Sequence, residues 1–316
     1  MKNMLMLFRF SYGRGKYIRN KEQKIKNKKV SFIWIGVLFL ISYSLFFILY
    51  FMHSPLQLAI KYLKHWITAS NGKGHGMHSP FVFEFITKLL NDKTNYPEYE
   101  RVESLRKQLL NDDTVLEVED FGAGSAIDKK SKRSISSIAK NAAKPKKFGQ
   151  LLFRIVKYYQ PATILESGTS LGITTSYLSL ARPDARLITM EGSGEIAEAA
   201  KRNFRNLEIK NVEIIQGNFD NTLSSVVRGL SSVGFAFIDG NHRQEPTERY
   251  FKELLAKTNN DSILVFDDIH WSGEMEVAWE RIKNNPAATC CIDLFFIGIV
   301  FFRKEFKEKQ HFAIRF

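Results

Sequence analysis

The chain is poor in cysteine: its 316 residues include two, adjacent at Cys290 and Cys291. Neighbouring residues rarely close a disulfide, and no zinc-site spacing surrounds them. A disulfide framework and a thiolate metal site are therefore excluded, and the pair reads as small residues in a buried strand. So low a count suits a reducing compartment. Two phosphate-binding signatures are also absent. Neither the dinucleotide fingerprint G-x-G-x-x-G nor the P-loop G-x-x-x-x-G-K-[ST] occurs. There is no internal repeat and no low-complexity segment.

Charge of one sign is scarce where it would matter most for nucleic acid. The formal net charge is +13. Residues 1–30 account for +9 of it and residues 129–147 for +8, which leaves −4 for the rest of the chain. The basicity is thus confined to a tail and one internal segment. A chain-wide nucleic-acid footprint is not supported.

Ser31 to Phe51 reads "SFIWIGVLFLISYSLFFILYF", 21 residues without a charge. About 20 apolar residues cross a bilayer core as a helix. The run is too long for a signal peptide, and "YFMHSP" offers no small-residue cleavage site. It is apolar on every face, which argues against a soluble helix. The expectation is a single transmembrane helix, with membrane contact through residues 31–51. Eight Lys/Arg in residues 11–30 face two in residues 52–71, a bias that keeps the N-terminus inside and sends the rest out.

Three regions follow: a basic tail and transmembrane helix (1–52), a helical preface with a basic segment (53–147) and an α/β domain (148–316). In the preface, "PLQLAIKYLKHWI" and "PFVFEFITKLLND" have helical spacing, each opened by a proline. From residue 148 strands and helices alternate, from "TILES" to "SILVFDD" and "EMEVAWERIK". That alternation predicts a doubly wound, mostly parallel sheet with helices on both faces. The closing strands "CIDLFFIGIVFFRK" and "HFAIRF" have no helix between them and predict an antiparallel edge strand.

Two stretches compete as the nucleotide-binding turn, "VLEVEDFGAGSA" and "ILESGTSLGITT". A nucleoside site needs a glycine loop, a following helix, and a second strand ending in an acid for the ribose hydroxyls. After "FGAGSA" comes "IDKKSKRSISSIAKNAAKPKK", with no apolar strand and no terminal acid. After "GTSLG" come the helix "ITTSYLSLA" and the strand "RLITM", which ends at Glu191. The second loop is the cofactor loop. Its Gly168 and Gly172, spaced G-x-x-x-G behind Glu166, offer no pyrophosphate cradle.

These motifs resemble those of the class I S-adenosylmethionine (SAM)-dependent methyltransferases, nearest the branch of catechol O-methyltransferase. "LESGTSLG" is similar to the family's first motif and "LITMEGS" to its second. "IIQGNFDNTL" resembles the segment beside the adenine, with Asn218 in place of the usual Asp. "FAFIDGNHRQEPTERYFKELL" and "ILVFDDIHW" resemble the fourth and fifth motifs. Together they cover about half the chain. The resemblance implies a Rossmann-like fold and cofactor contacts from Glu166, Gly168, Ser170, Gly172, Glu191, Gly217, Asn218 and Asp239. It also implies a divalent cation, Mg²⁺, held by Asp239, Asp267 and Asp268, although Asp268 stands where the family usually has Asn. His242 stands where the family has a lysine that deprotonates the acceptor. A histidine titrates near neutrality and suits the task, with Asp239 beside it.

Simpler roles stand beside these. Asp268 can cap the helix that begins near Ser272, Asp239 can hold the "DGNH" turn, and His242 can be an exposed loop histidine. His270 and Trp271 can line a pocket or pack. The basic segment 129–147 can fold over the mouth of the site or be a solvated helix and linker. The leading expectation is methylation of an oxygen on a small hydroxylated substrate, since "FIDG" stands where nucleic-acid enzymes often carry N/D-P-P-Y/F. A non-catalytic membrane-tethered module and a nucleic-acid methyltransferase are the alternatives. SAM is made in the cytoplasm, so the catalytic domain is expected on that side, or free in the cytoplasm if translation starts at Met52. The oligomeric state is not legible.

Overall fold

The computed structural model describes residues 53–119, 130–142 and 144–316. The apolar run 31–51 and the "FGAGS" loop lie outside the described residues. Among the described residues no helix is long and apolar enough to cross a membrane. Residues 55–316 form one compact unit, in which preface and α/β domain share a core.

The preface opens with α1 (Pro55–Thr68) and α2 (Pro80–Phe85), which runs into a π turn at Ile86–Leu90, followed by α3 (Pro97–Leu110). A ribbon of β1 (Val115–Glu119) and β2 (Lys130–Ser134) leads into α4 (Ile135–Ala142) and α5 (Lys146–Tyr159). The pairing of "KSKRS" with "VLEVE" is a departure from expectation, since the basic segment carries no apolar strand pattern. The ribbon covers one face only: Leu116 and Val118 are buried, and their neighbours are exposed or partly exposed. The strand is therefore set by its partner and not by its own hydrophobicity.

The α/β part runs β3 (Thr163–Ser167), α6 (Ile173–Ala181), β4 (Arg186–Glu191), α7 (Gly194–Asn206), β5 (Val212–Gln216) and α8 (Phe219–Gly229). It continues with β6 (Phe235–Ile238), α9 (Gln244–Leu255), β7 (Ile263–Asp267), α10 (Gly273–Asn284), β8 (Cys290–Asp293), β9 (Ile297–Phe301) and β10 (Gln310–Ala313). The sheet order is β10-β8-β9-β7-β6-β3-β4-β5. Both faces are covered, so β6 and β7 are buried throughout and apolar up to Asp267, the last residue of β7. The period of two still sorts their side chains. Phe235, Phe237, Ile263 and Val265 join one core with α5 and α6, while Ala236, Ile238, Leu264 and Phe266 join the other with α9 and α10. Cys290 and Cys291 are buried free thiols, one in each core.

The predicted antiparallel edge needs correction. β9 is the antiparallel strand, but it lies inside the sheet, between β7 and β8. The tight β8–β9 connection, with Phe295 at φ 72°, turns β9 back into the gap beside β7. The edge goes to β10, parallel to β8. Because β4 and β5 extend from one side of β3 and β6 and β7 from the other, a crevice opens at the carboxyl ends of β3 and β6.

A charged clasp fastens α1 to the sheet. His270 lies between Glu276, at 3.1 Å, and Asp293, at 2.9 Å, and stacks on Phe295. Lys61 of α1 reaches Glu276 at 2.9 Å, and the Trp279 indole N–H donates to Asp293. Burial disfavours the imidazolium, but the two carboxylates outweigh it and push His270 up to about 9. His270 therefore packs and pairs and does not line a pocket. Its folded-state pKa lies above the ordinary value, so its contribution is complete below pH 6.5 and fades as pH rises through 9. Unfolding free energy, measured by denaturant titration, should fall across that window by at most about 3 kcal/mol more than in His270→Gln.

Candidate active site

The sequence places its chemistry at the carboxyl ends of β3, β4, β6 and β7, where the side chains converge. After β3 the chain turns sharply. Gly168 sits at φ 102°, and a Cβ there would lie 2.1 Å from the Asp239 carbonyl oxygen. The glycine thus lets the ends of β3 and β6 touch. Gly172, at φ 79°, precedes the first turn of α6, and a Cβ on it would strike the Phe204 ring. Ser170 between them is left-handed at φ 47°. Its backbone N–H donates to Glu191 Oε2 at 2.8 Å.

Glu191 ends β4 and is held from two sides, since Ser193 N–H donates to Oε1 at 3.0 Å. Burial raises its pKa despite these donors. Two pinned oxygens at the rim of a cleft suit acceptance of a vicinal diol. Glu166 behaves differently. It is fully buried behind the loop, where Thr175 and Thr189 hydroxyls donate to Oε2 at 2.5 and 2.6 Å. Burial drives it up to about 8, and its Oε1 has no partner. Glu166 thus lines neither of the two cavities described below and braces the loop from behind through Thr175 and Thr189.

Glu191 and Ser170, with Asn141 of α4, form the wall between two adjoining cavities. The larger, about 540 Å³, is lined by Gly192, Ile196, Gly217, Asn218, Phe219 and Val118 among others. Its apolar faces, Phe219 and Ile196 against Val118 and Ile138, suit a flat base. Asn218 also accepts from Asp220 N–H at 3.0 Å and so caps α8. The smaller cavity, about 250 Å³, holds the Gly168–Leu171 loop, Asp239, His242, Asp267, Asp268 and Lys144.

In the smaller cavity His242 Nε2 lies 3.5 Å from Asp239 Oδ1. Burial disfavours the charged form of each, but the pairing prevails: His242 is raised, and Asp239, helped by Lys144, is lowered. Asp267 is buried at the end of β7, and burial together with the neighbouring Asp239 carboxylate pushes it upward. Its Oδ2 is in ionic contact with Lys144, while Oδ1 is buried with no donor. Asp268, at φ 51°, turns its carboxylate to Lys144 at 3.2 Å. It does not cap α10, because Ser272 does, accepting from Met275 N–H. Among the described residues the trio whose ligand atoms lie within 4.8 Å of one another is Asp239, His242 and Asp267, and Asp268 is not part of it. Trp271 is exposed.

Lys144 was not singled out in the sequence. It follows α4, and burial opposes its charge, but Asp267, Asp239 and Asp268 raise its pKa. The only signal for it was the density of Lys/Arg in residues 129–147, which does not say which ammonium turns inward.

Residues 165–269 match the family model described as a methyltransferase domain. The chain is 34% identical over 105 residues to release factor glutamine methyltransferase of Escherichia coli (strain K12), a match covering 33% of this chain and 38% of that protein. It thus spans well under half the length of the curated relatives it matches. A methyltransferase of Podospora anserina solved with SAH bound aligns over 72% of this chain and 97% of its own, with 13% identity and a TM-score of 0.50. An O-methyltransferase of Bacillus cereus in complex with SAH aligns over 70% and 97%, with 19% identity and a TM-score of 0.45. The match to a methyltransferase domain over residues 165–269 is in keeping with the resemblance to class I SAM-dependent methyltransferases carried by the motifs.

Proposed function

We propose that the chain is a SAM-dependent O-methyltransferase of a small hydroxylated substrate. One observation carries this reading. A single cleft sets a pinned carboxylate, Glu191, beside a His242–Asp239 pair that faces a small polar cavity. The residues present fit SAM: Glu191 can take the ribose diol, the apolar walls around Phe219 can take the base, and the Gly168–Gly172 loop lies between the two cavities. SAM, when bound, supplies a methyl carbon on a sulfonium. Within this cleft His242 would accept the proton of the acceptor hydroxyl. Asp239 holds the imidazole and stabilises its charged form. The α4 roof, through Ala139 and Asn141, limits water in the cleft.

The curated relative is named for a glutamine acceptor. In this chain "FIDG" at the fourth motif, with a histidine base three residues beyond Asp239, supports an oxygen acceptor ahead of an amide nitrogen. The basic segment is engaged with the cleft, through Arg133 and Lys144, and this favours a small substrate over nucleic acid. Incubation with methyl-labelled SAM and a panel of catechols and other hydroxylated metabolites, with and without Mg²⁺, tests the proposal. Transfer to a hydroxyl is expected, and transfer to amide or nucleic-acid acceptors alone would overturn it.

The catalytic unit belongs, on this reading, on the cytoplasmic side, where SAM is made, anchored through residues 31–51 or free where translation starts at Met52. A chain beginning at Met52 should stay in solution and bind SAM as the full chain does. Insolubility or loss of binding would assign the N-terminal segment to the fold.

A further inference from the structure

The carboxylates at the ends of β6 and β7 do not fit a resident Mg²⁺, because a side chain of the protein already fills the position. Lys144 Nζ is in ionic contact with Asp267 Oδ2 and lies 3.2 Å from Asp268 Oδ1. Its side chain is 15% exposed, and that of Asp267 is completely buried. A dication bound to Asp267 would sit within a few ångströms of this ammonium. At that separation, inside a poorly solvated cleft, the ammonium and the dication repel one another strongly. Of the nearby donors, His242 is moreover a nitrogen, which Mg²⁺ does not favour.

We propose that Lys144 is the resident cation of this cleft, a tethered ammonium that stands where a divalent ion would otherwise sit. It offsets part of the negative charge of the three clustered carboxylates and presents positive charge to the acceptor oxygen as it loses its proton. The placement also has a mechanical side. Lys144 lies between α4, which roofs both cavities through Asn141, and α5, whose Phe148, Leu151 and Leu152 are anchored in the core. The ion pair therefore fixes the roof to the acid cluster, and the site is complete only with the preface in place. This inference deepens the methyltransferase reading and rests on it for the ammonium's purpose, though not for its position.

The test uses Mn²⁺ binding to the full chain, followed by electron paramagnetic resonance, so that it is independent of methyl transfer. The wild-type protein should take up no Mn²⁺ at this site. Lys144→Met should bind one ion at least about 100-fold more tightly, because the repelling charge is gone, and the added Asp267→Asn should abolish that site. Lys144→Arg, which keeps the charge, should remain without Mn²⁺. If Lys144→Met folds poorly, its melting temperature should rise on adding Mn²⁺ and not on adding KCl. One tightly bound Mn²⁺ in the wild type, lost on Asp267→Asn, would overturn the proposal, as would equal failure of wild type and Lys144→Met to bind. Either outcome would leave SAM binding and methyl transfer standing.

Discussion

His242→Ala is expected to lower the turnover of methyl transfer by roughly 10²- to 10⁴-fold, the range for loss of a positioned general base, with SAM affinity nearly unchanged. The expectation follows from geometry. His242 lines the small cavity at the end of β6, 3.5 Å from Asp239 Oδ1, and Glu191 belongs to the wall shared with the larger cavity. The substitution removes the proton acceptor without touching the residues that would hold the nucleoside. Asp239→Asn should give a smaller loss of the same kind, because the imidazole keeps its place but loses the charge that stabilises its protonated form. Unchanged turnover in His242→Ala would assign deprotonation to another group. Single-turnover kinetics with labelled SAM separates this effect from binding.

The second large effect concerns the cofactor. Glu191→Ala should weaken SAM binding by about 1–3 kcal/mol, or roughly 5- to 150-fold in Kd, as buried hydroxyls lose a charged acceptor. The substitution also frees the Ser170 and Ser193 N–H groups, so Glu191→Gln, which can still accept from one of them, should lose less. Gly168→Val is a less informative test. A Cβ at Gly168 would collide with the Asp239 carbonyl whether or not a ligand is bound. Its failure to bind would therefore report on the join between β3 and β6.

The alternation of strands and helices was legible because each buried strand is a short apolar run ending in an acid or a glycine. β6 and β7 are such strands, and their terminal acids point to the crevice by register alone. Pairing order was not legible. Nothing local in "IGIVF" says that it enters the sheet between β7 and β8 and not at the rim. The burial of Glu166 behind the loop was not legible either, because its motif names the residue and not its depth. Lys144 was hidden for another reason: one ammonium among eight basic residues acquires its role only when α4 and α5 bring it to Asp267. Likewise, the "KSKRS" strand exists through its partner, and no hydrophobic pattern could announce it.

The central claim is that the cleft shared by Gly168, Glu191 and Asp239 is a SAM site. Calorimetric titration of the full chain with SAM, and with its demethylated product SAH, tests it most directly. The account predicts saturable binding of one molecule of either ligand per chain, weakened in Glu191→Ala and retained in His242→Ala. An absence of binding heat with both ligands across several temperatures, from a protein whose melting curve shows it to be folded, would contradict it.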